Sequence, residues 1–190
     1  MTADKTHVSP ESRHPVILER QQELLAWRAS LRRAGRRLVQ CHGCFDIVHP
    51  GHVRHLRWAR AQGDALLVTI TADRGIDKGP GRPLIPHDLR AENLASLDMV
   101  DAVHVVHEPT AEGILRAVEP DVYVKGREYE TNNDPRFAAE RSAVETAGGR
   151  VVFSSGDIVF SSSALIAALE GGRDTGVDAT AGALAQFLQT

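Results

Sequence analysis

Apolar residues along the chain form short continuous runs separated by helically spaced sets. Ala65-Leu66-Leu67-Val68-Thr69-Ile70 is nearly unbroken, the pattern of a strand covered on both faces in a parallel sheet. Before it, Leu38-Val39-Gln40-Cys41 reads as a shorter strand, and Pro50 to Gln62 as a helix that Gly63 stops. Strand and helix signals then alternate. A helical stretch near Asp88 to Leu97 is followed by Val103 to Val106, Ala111 to Val118, Asp121 to Val124, Arg136 to Ala147, Val151 to Phe153 and Ser162 to Leu169. Upstream, helix formers from Ser12 to about Gly35 carry apolar residues at Val16, Ile17, Leu24, Leu25 and Leu31, which predicts one or two lead-in helices. Regular alternation of this kind predicts an α/β fold, a Rossmann-like doubly wound parallel sheet in a single domain. Ligands of such sheets bind beyond the carboxyl ends of the strands, so the loops after strands are where chemistry is expected.

Length and charge narrow the function classes. The chain has 190 residues and a formal net charge of -3, with no basic field suited to a nucleic-acid backbone, so small-molecule work is expected rather than nucleic-acid binding. No apolar run approaches the roughly 20 residues that cross a bilayer, and the polar start lacks a signal peptide's apolar core, so no membrane contact and a cytoplasmic location are expected. Cys41 and Cys44 match a redox or half-zinc spacing, but there is no second pair, and packing at the end of a buried strand is the expected role. No protein metal site is expected. A dinucleotide oxidoreductase would suit the alternation, yet no Gly-x-Gly-x-x-Gly follows the first strand.

The most informative segment is Gly43-Cys44-Phe45-Asp46-Ile47-Val48-His49-Pro50-Gly51-His52, which leads straight into a helix. Proline suits the first helical position, and Gly51 lets backbone approach a ligand closely. Free N–H groups and the positive end of the helix dipole make an anion site, to which His49 and His52 add donors from one side of the helix start. His55 is expected to be an ordinary helix-surface residue. Lys78 and Arg82 lie on the glycine-rich loop Asp77-Lys78-Gly79-Pro80-Gly81-Arg82-Pro83, where cations could close over triphosphate charge. Ser161, Ser162 and Ser163 precede the last helix and could cap it while holding a phosphate. Asp46 sits close enough to the first strand to brace the loop, its favoured role, or to reach the substrate.

With Gly-Cys-Phe-Asp before it, His-Pro-Gly-His resembles the signature of the cytidylyltransferase-like nucleotidyltransferases, relatives of the class I aminoacyl-tRNA synthetase core. The resemblance runs from about Gly35 to Leu169. It includes, in order, Lys78-Gly79-Pro80-Gly81-Arg82-Pro83, Lys125-Gly126-Arg127-Glu128-Tyr129 and Phe160-Ser161-Ser162-Ser163-Ala164-Leu165-Ile166. Its last two segments look most like the adenylyltransferase domain of the bifunctional heptose-phosphate kinase and adenylyltransferase. The kinase domain often fused to that enzyme has no counterpart here, so a kinase step is expected on another protein.

The resemblance places a nucleotidyltransferase domain over 36–170, between the tail and lead-in helix that the residue pattern predicts over 1–35 and the flexible tail that composition predicts over 171–190. It implies His49, His52 and Lys78 as catalytic groups. Gly43, Cys44, Phe45, Gly51, Arg90, Lys125, Gly126, Tyr129 and the three serines would bind the nucleotide, with Tyr129 against the base and Arg90 at a phosphate. Asp46, Arg82, Arg127 and Glu128 would meet the acceptor. Arg127 and Glu128 stand where the heptose-type pattern has Gly and Asp, which puts the acceptor's identity at those positions. The implied reaction is attack by the phosphate of a small phosphorylated acceptor on the α-phosphorus of ATP or CTP, with Mg²⁺ carried by the triphosphate. Adenylyl transfer to a sugar 1-phosphate such as heptose 1-phosphate is favoured over cytidylyl transfer to a polyol phosphate or phosphonate, and over a nucleotide-binding module without turnover. Family relatives are commonly dimers, and the chain ends offer apolar surface for a homodimer of unfixed symmetry.

Overall fold

A computed structural model describes residues 15–79, 81–131 and 134–154. The expected helix at Ser162–Leu169, the serines before it and the tail from 171 lie outside the described residues. Six parallel strands form one sheet in the order β1-β4-β3-β2-β5-β6. They are β1 (Val16–Ile17), β2 (Leu38–Gly43), β3 (Ala65–Thr71), β4 (Ala102–Val106), β5 (Val122–Gly126) and β6 (Arg150–Ser154). The helices between them are α1 (Gln21–Arg33), α2 (Pro50–Arg60), α3 (His87–Ala95), α4 (Glu112–Val118) and α5 (Pro135–Thr146). Short 3₁₀ turns follow β3 at Asp73–Gly75 and β5 at Arg127–Tyr129.

Side chains alternate across a strand, so each strand feeds two cores. Leu38, Ala65, Leu67, Ala102 and Tyr123 pack with Leu24 and Leu31 of α1, Leu115 of α4 and Val144 of α5. Val39, Cys41, Leu66, Val68, Val103 and Val124 pack with Leu56 of α2 and Leu94 of α3 on the other face. A strand buried on both faces has no reason to alternate in sequence, which is why β3 reads as an apolar run. The chain runs outward from β2 through β3 to β4, then returns to the other side of β2 as β5. The carboxyl ends of β2 and β5 therefore flank the crevice where strand order reverses.

The first predicted lead-in helix is replaced by an edge strand. Val16 and Ile17 pair with Ala102 and Val103, and the Leu18 N–H donates to the Val103 carbonyl at 2.9 Å. Two β-branched residues after Pro15 favour extended backbone, and two residues are too few to display a period. Only α1 is helical, and it is tied to the far end of α4: Arg28 donates to the Val118 and Glu119 carbonyls at 3.2 and 2.8 Å. Among the described residues no helix is long and apolar enough to cross a membrane.

Candidate active site

The loop from Gly43 to His49 is shaped by one unusual backbone conformation. Phe45 has φ 50°, a left-handed value rare outside glycine, and its buried ring holds the conformation in place. A Cβ added at Gly43 would meet that ring at 3.0 Å, so glycine there lets Phe45 fold back. The Phe45 ring in turn packs against His52, with centroids 5.0 Å apart.

His49 is the N-cap of α2, Pro50 opens the helix, and Gly51 and His52 complete the first turn. The two imidazoles stack, with centroids 3.8 Å apart and planes 25° apart, and the His49 backbone N–H faces His52 Nδ1 at 3.4 Å. Burial pushes the His49 imidazole below its ordinary pKa. His52 falls to about 3, through burial first and then the neighbouring His49, His55 and Lys78, while a backbone hydrogen bond at Ile47 pulls the other way. Both rings are thus neutral near pH 7, and a neutral imidazole still has one N–H to donate.

At the Gly43-Cys44 turn lies a cavity of about 250 Å³ at the reversal of strand order, lined by neither His49 nor His52. Gly43 and Cys44 line it from β2, Lys78 from the loop, and Lys125 and Tyr129 from the end of β5. Lys125 is buried, 3.2 Å from Glu140 Oε2 and 4.1 Å from the centre of the Tyr129 ring. Tyr123 donates to the same Glu140 oxygen at 2.8 Å, and burial together with that carboxylate raises the phenol's pKa. Tyr129 therefore lies against an ammonium here. Gly126 lies where β5 meets the 3₁₀ turn, with the Glu128 carboxylate folded against it.

Several residues expected at ligands are engaged in holding the loop. The Asp46 side chain, 1% exposed, accepts from the Leu84 and Ile85 N–H groups at 2.8 and 3.0 Å and from Arg82 Nε at 2.7 Å. Burial pushes the Asp46 carboxyl up, but the Ile85 and Leu84 amides and Arg82 outweigh it and hold its pKa below the usual value. Asp46 is thus a brace, and it pins the end of the glycine loop that was expected to move. Arg82 is held by that pair, although its Nη2 is buried without a hydrogen-bond partner among the described residues. Arg90, expected at a phosphate, is fully buried. Its guanidinium donates to the carbonyls of Ile85 at 2.9 Å, Cys44 at 2.5 Å and Thr71 at 2.9 Å, and to Asp73 Oδ1 at 2.6 Å. Five donors in a rigid fork suit such a convergence of carbonyls, and the first turn of α3 puts Arg90 beneath the loop.

Other placements also differ from expectation. His55 is half-buried rather than an ordinary surface residue: its Nδ1 lies 2.8 Å from Ser154 Oγ at the end of β6, and burial, then Lys125, lowers its pKa to about 4. Arg127 and Glu128 are exposed on the 3₁₀ turn, with Arg127 3.7 Å from Glu130, and neither lines the cavity. Cys41 is buried in the core and Cys44 lies at the cavity wall, both as free thiols. Conversely, His42, Thr71 and Glu140 line the cavity although sequence reasoning passed over them. A polar residue every second position at a strand's carboxyl end was the available signal, in Gln40-Cys41-His42 and in Thr69-Ile70-Thr71.

A family model described as cytidylyltransferase-like matches residues 40–168. Among curated relatives, the bifunctional protein HldE of Alkalilimnicola ehrlichii is 40% identical over 157 residues, covering 82% of this chain and 32% of the relative. HldE of Vibrio atlanticus is 36% identical over 173 residues, covering 90% of this chain and 35% of the relative. The chain spans about a third of the length of these relatives. The lipopolysaccharide core biosynthesis protein from Thermoplasma volcanium aligns with TM-score 0.53 and 27% identity, over 64% of this chain and 98% of that one. The pantoate-beta-alanine ligase from Francisella tularensis aligns with TM-score 0.53 over 73% of this chain and 66% of that one, and at 13% identity supports the fold alone.

Proposed function

The chain belongs to the cytidylyltransferase-like family and is a nucleotidyltransferase, and from that premise we propose that it transfers the adenylyl group of ATP to a sugar 1-phosphate such as heptose 1-phosphate. The observation that carries this reading is the stacked, neutral His49–His52 pair at the start of α2, in the loop that follows the Gly43-Cys44 wall of the cavity. A phosphate oxygen of the acceptor attacks the α-phosphorus, the bond to the β-phosphate breaks, and pyrophosphate leaves. No strong base is needed, because a phosphate monoester with a second pKa of about 6 is already largely ionised at neutral pH. The protein's task is alignment and charge stabilisation. His49 and His52, as neutral donors on the positive end of the helix dipole, stabilise charge that develops on the phosphoryl oxygens without adding cations that would trap the product. Lys78, exposed at the cavity rim, supplies mobile positive charge.

Mg²⁺ fits this site as a passenger of the nucleotide. Asp77, Asp134 and Glu140 line the cavity, but among the described residues no three potential ligands converge. The ion would be held by triphosphate oxygens and neutralise their charge, the usual manner of Mg²⁺ at phosphates. Adenylyl transfer is preferred because the Lys125-Gly126-x-x-Tyr129 segment matches the heptose-type pattern and the relatives include HldE proteins. The test is pyrophosphate release from ATP or CTP with Mg²⁺ and heptose 1-phosphate, alongside thermal shifts with each nucleotide. ATP is expected to raise the melting temperature and to support release. A shift and turnover with CTP alone would overturn the adenylyl reading.

A further inference from the structure

Where β2 and β3 reach their carboxyl ends, one face of the sheet changes from apolar to polar. Leu38, Gln40 and His42 form one row on that face, beside Ala65, Leu67, Thr69 and Thr71, and the register pairs His42 with Thr69. Gln40 and Thr69 are fully buried, whereas His42 and Thr71 reach the cavity wall. The four side chains form one hydrogen-bonded chain. Gln40 Nε2 donates to Thr69 Oγ1 at 3.1 Å, and Thr69 Oγ1 donates to the Cys41 carbonyl at 3.2 Å. His42 Nδ1 lies 3.0 Å from Thr69 Oγ1, and His42 Nε2 lies 3.2 Å from Thr71 Oγ1.

Donor counting gives this chain a direction. A carbonyl only accepts, so the Cys41 oxygen takes the single hydroxyl proton of Thr69, and the Gln40 amide nitrogen only donates. The remaining lone pair of Thr69 must then face an N–H, which places the His42 proton on Nδ1. Burial, then Lys125, lowers the His42 pKa to about 3, so the ring carries one proton only. Its Nε2 is left bare and accepts from Thr71. The Thr71 hydroxyl thus turns its proton inward, away from the cavity, and keeps lone pairs for whatever binds there.

We propose that Thr71 Oγ1, polarised through His42 and Thr69, is a specificity group that recognises a donating hydroxyl of the acceptor and rejects a phosphate oxygen at that wall. This rests on the sugar-phosphate reading above. The cavity then divides by chemistry: the acceptor's phosphate turns to exposed Lys78, and a sugar hydroxyl turns to Thr71. A site built to bond a hydroxyl discriminates strongly against analogues without it, because its own polar group is left unpaired.

Two measurements test this. Histidine ring ¹⁵N spectra of the full chain, with the His42 signals assigned by their loss in His42→Asn, are expected to show a neutral Nδ1–H tautomer from pH 6 to 8. An Nε2–H tautomer, or a ring that titrates in that range, overturns the proposal whatever the substrate is. The second measurement uses heptose 1-phosphate with its deoxy and deoxyfluoro analogues at each hydroxyl. At one position both analogues are expected to lose kcat/KM by about tenfold or more, since fluorine cannot donate, and Thr71→Val should erase that penalty while Thr71→Ser retains it. Fluorine accepted like the parent hydroxyl at every position, or Thr71→Val behaving as the wild type, refutes the proposal. If the wild type releases no pyrophosphate with heptose 1-phosphate, the sugar-phosphate reading fails with that substrate, and the tautomer still decides the direction of the chain.

Discussion

Arg90→Met separates a structural clamp from a phosphate ligand. The guanidinium is fully buried and closes bonds to three carbonyls and one carboxylate, which tie the Cys44 turn, the end of β3 and the start of α3 to one another. Methionine fills most of the volume but donates nothing, so each carbonyl loses about 1 kcal/mol of net bonding. Asp73 is one-third exposed and can partly rehydrate, so its lost ion pair adds only about 1 kcal/mol, well short of a fully buried pair. The sum is about 4 kcal/mol, and at roughly 2–4 °C per kcal/mol for a chain of this size the melting temperature should fall by roughly 8–16 °C. Arg90→Lys should lie between, since an ammonium cannot span acceptors set out for a planar fork. Thermal unfolding and the KM for ATP are measured on the same preparations. A melting temperature within about 2 °C of the wild type, with a KM for ATP raised tenfold or more, would show Arg90 to be a phosphate ligand and refute the clamp.

Two further outcomes follow from the histidines. His49→Ala and His52→Ala should each lower pyrophosphate release by roughly a hundredfold or more while the far-ultraviolet circular dichroism is retained, as expected for a lost transition-state donor, and near-wild-type release in both variants ends the mechanism. Half-buried neutral histidines also link folding to pH. The folded pKa values of about 3 for His42 and His52 and about 4 for His55 lie below the unfolded value, so the unfolded chain binds protons first as pH falls. Their contribution is intact above the unfolded pKa of about 6.5 and is lost as pH falls from there through the folded values, by at most about 2 kcal/mol per ring between pH 7 and pH 5. Urea midpoints should drop over that interval, and less steeply in His55→Gln. A midpoint that stays flat from pH 7 to pH 5 contradicts this assignment.

The sheet was legible from sequence because parallel strands covered on both faces announce themselves as apolar runs, and each helix between them has its own period. Only β1 escaped, being two residues long and identifiable only by its pairing with Ala102 and Val103. The His-Pro-Gly-His turn was legible for a related reason: proline at the first helical position, glycine and two imidazoles act within one turn, so their spacing is their geometry. Charged residues with distant partners were not. Asp46 binds residues 82 to 85, Arg90 reaches back to Cys44, and His55 meets Ser154, and none of these pairings leaves a local trace. A buried cation or carboxylate reads in sequence like a ligand-binding one until the register brings its partner into view.

These long-range ties have a consequence for catalysis. Asp46 and Arg90 both fix the Gly43 to His49 loop, the first through its own carboxylate and the second through the Cys44 carbonyl, and both draw on the segment from Arg82 to Arg90. The stacked histidines are also held by Phe45, which packs against His52 and whose left-handed backbone is stabilised by its buried ring. In the proposed reaction a triphosphate arriving at α2 meets donors already in position, and little of its binding energy is consumed in ordering the loop. Lys78 is the exception: it is exposed beside Gly79, whose φ of 95° lies outside the range other residues favour, and it stands apart from the Asp46–Arg82 brace. The start of α2 and Lys78 are thus anchored independently, so in the proposed reaction closing charge over a nucleotide need not strain the histidines.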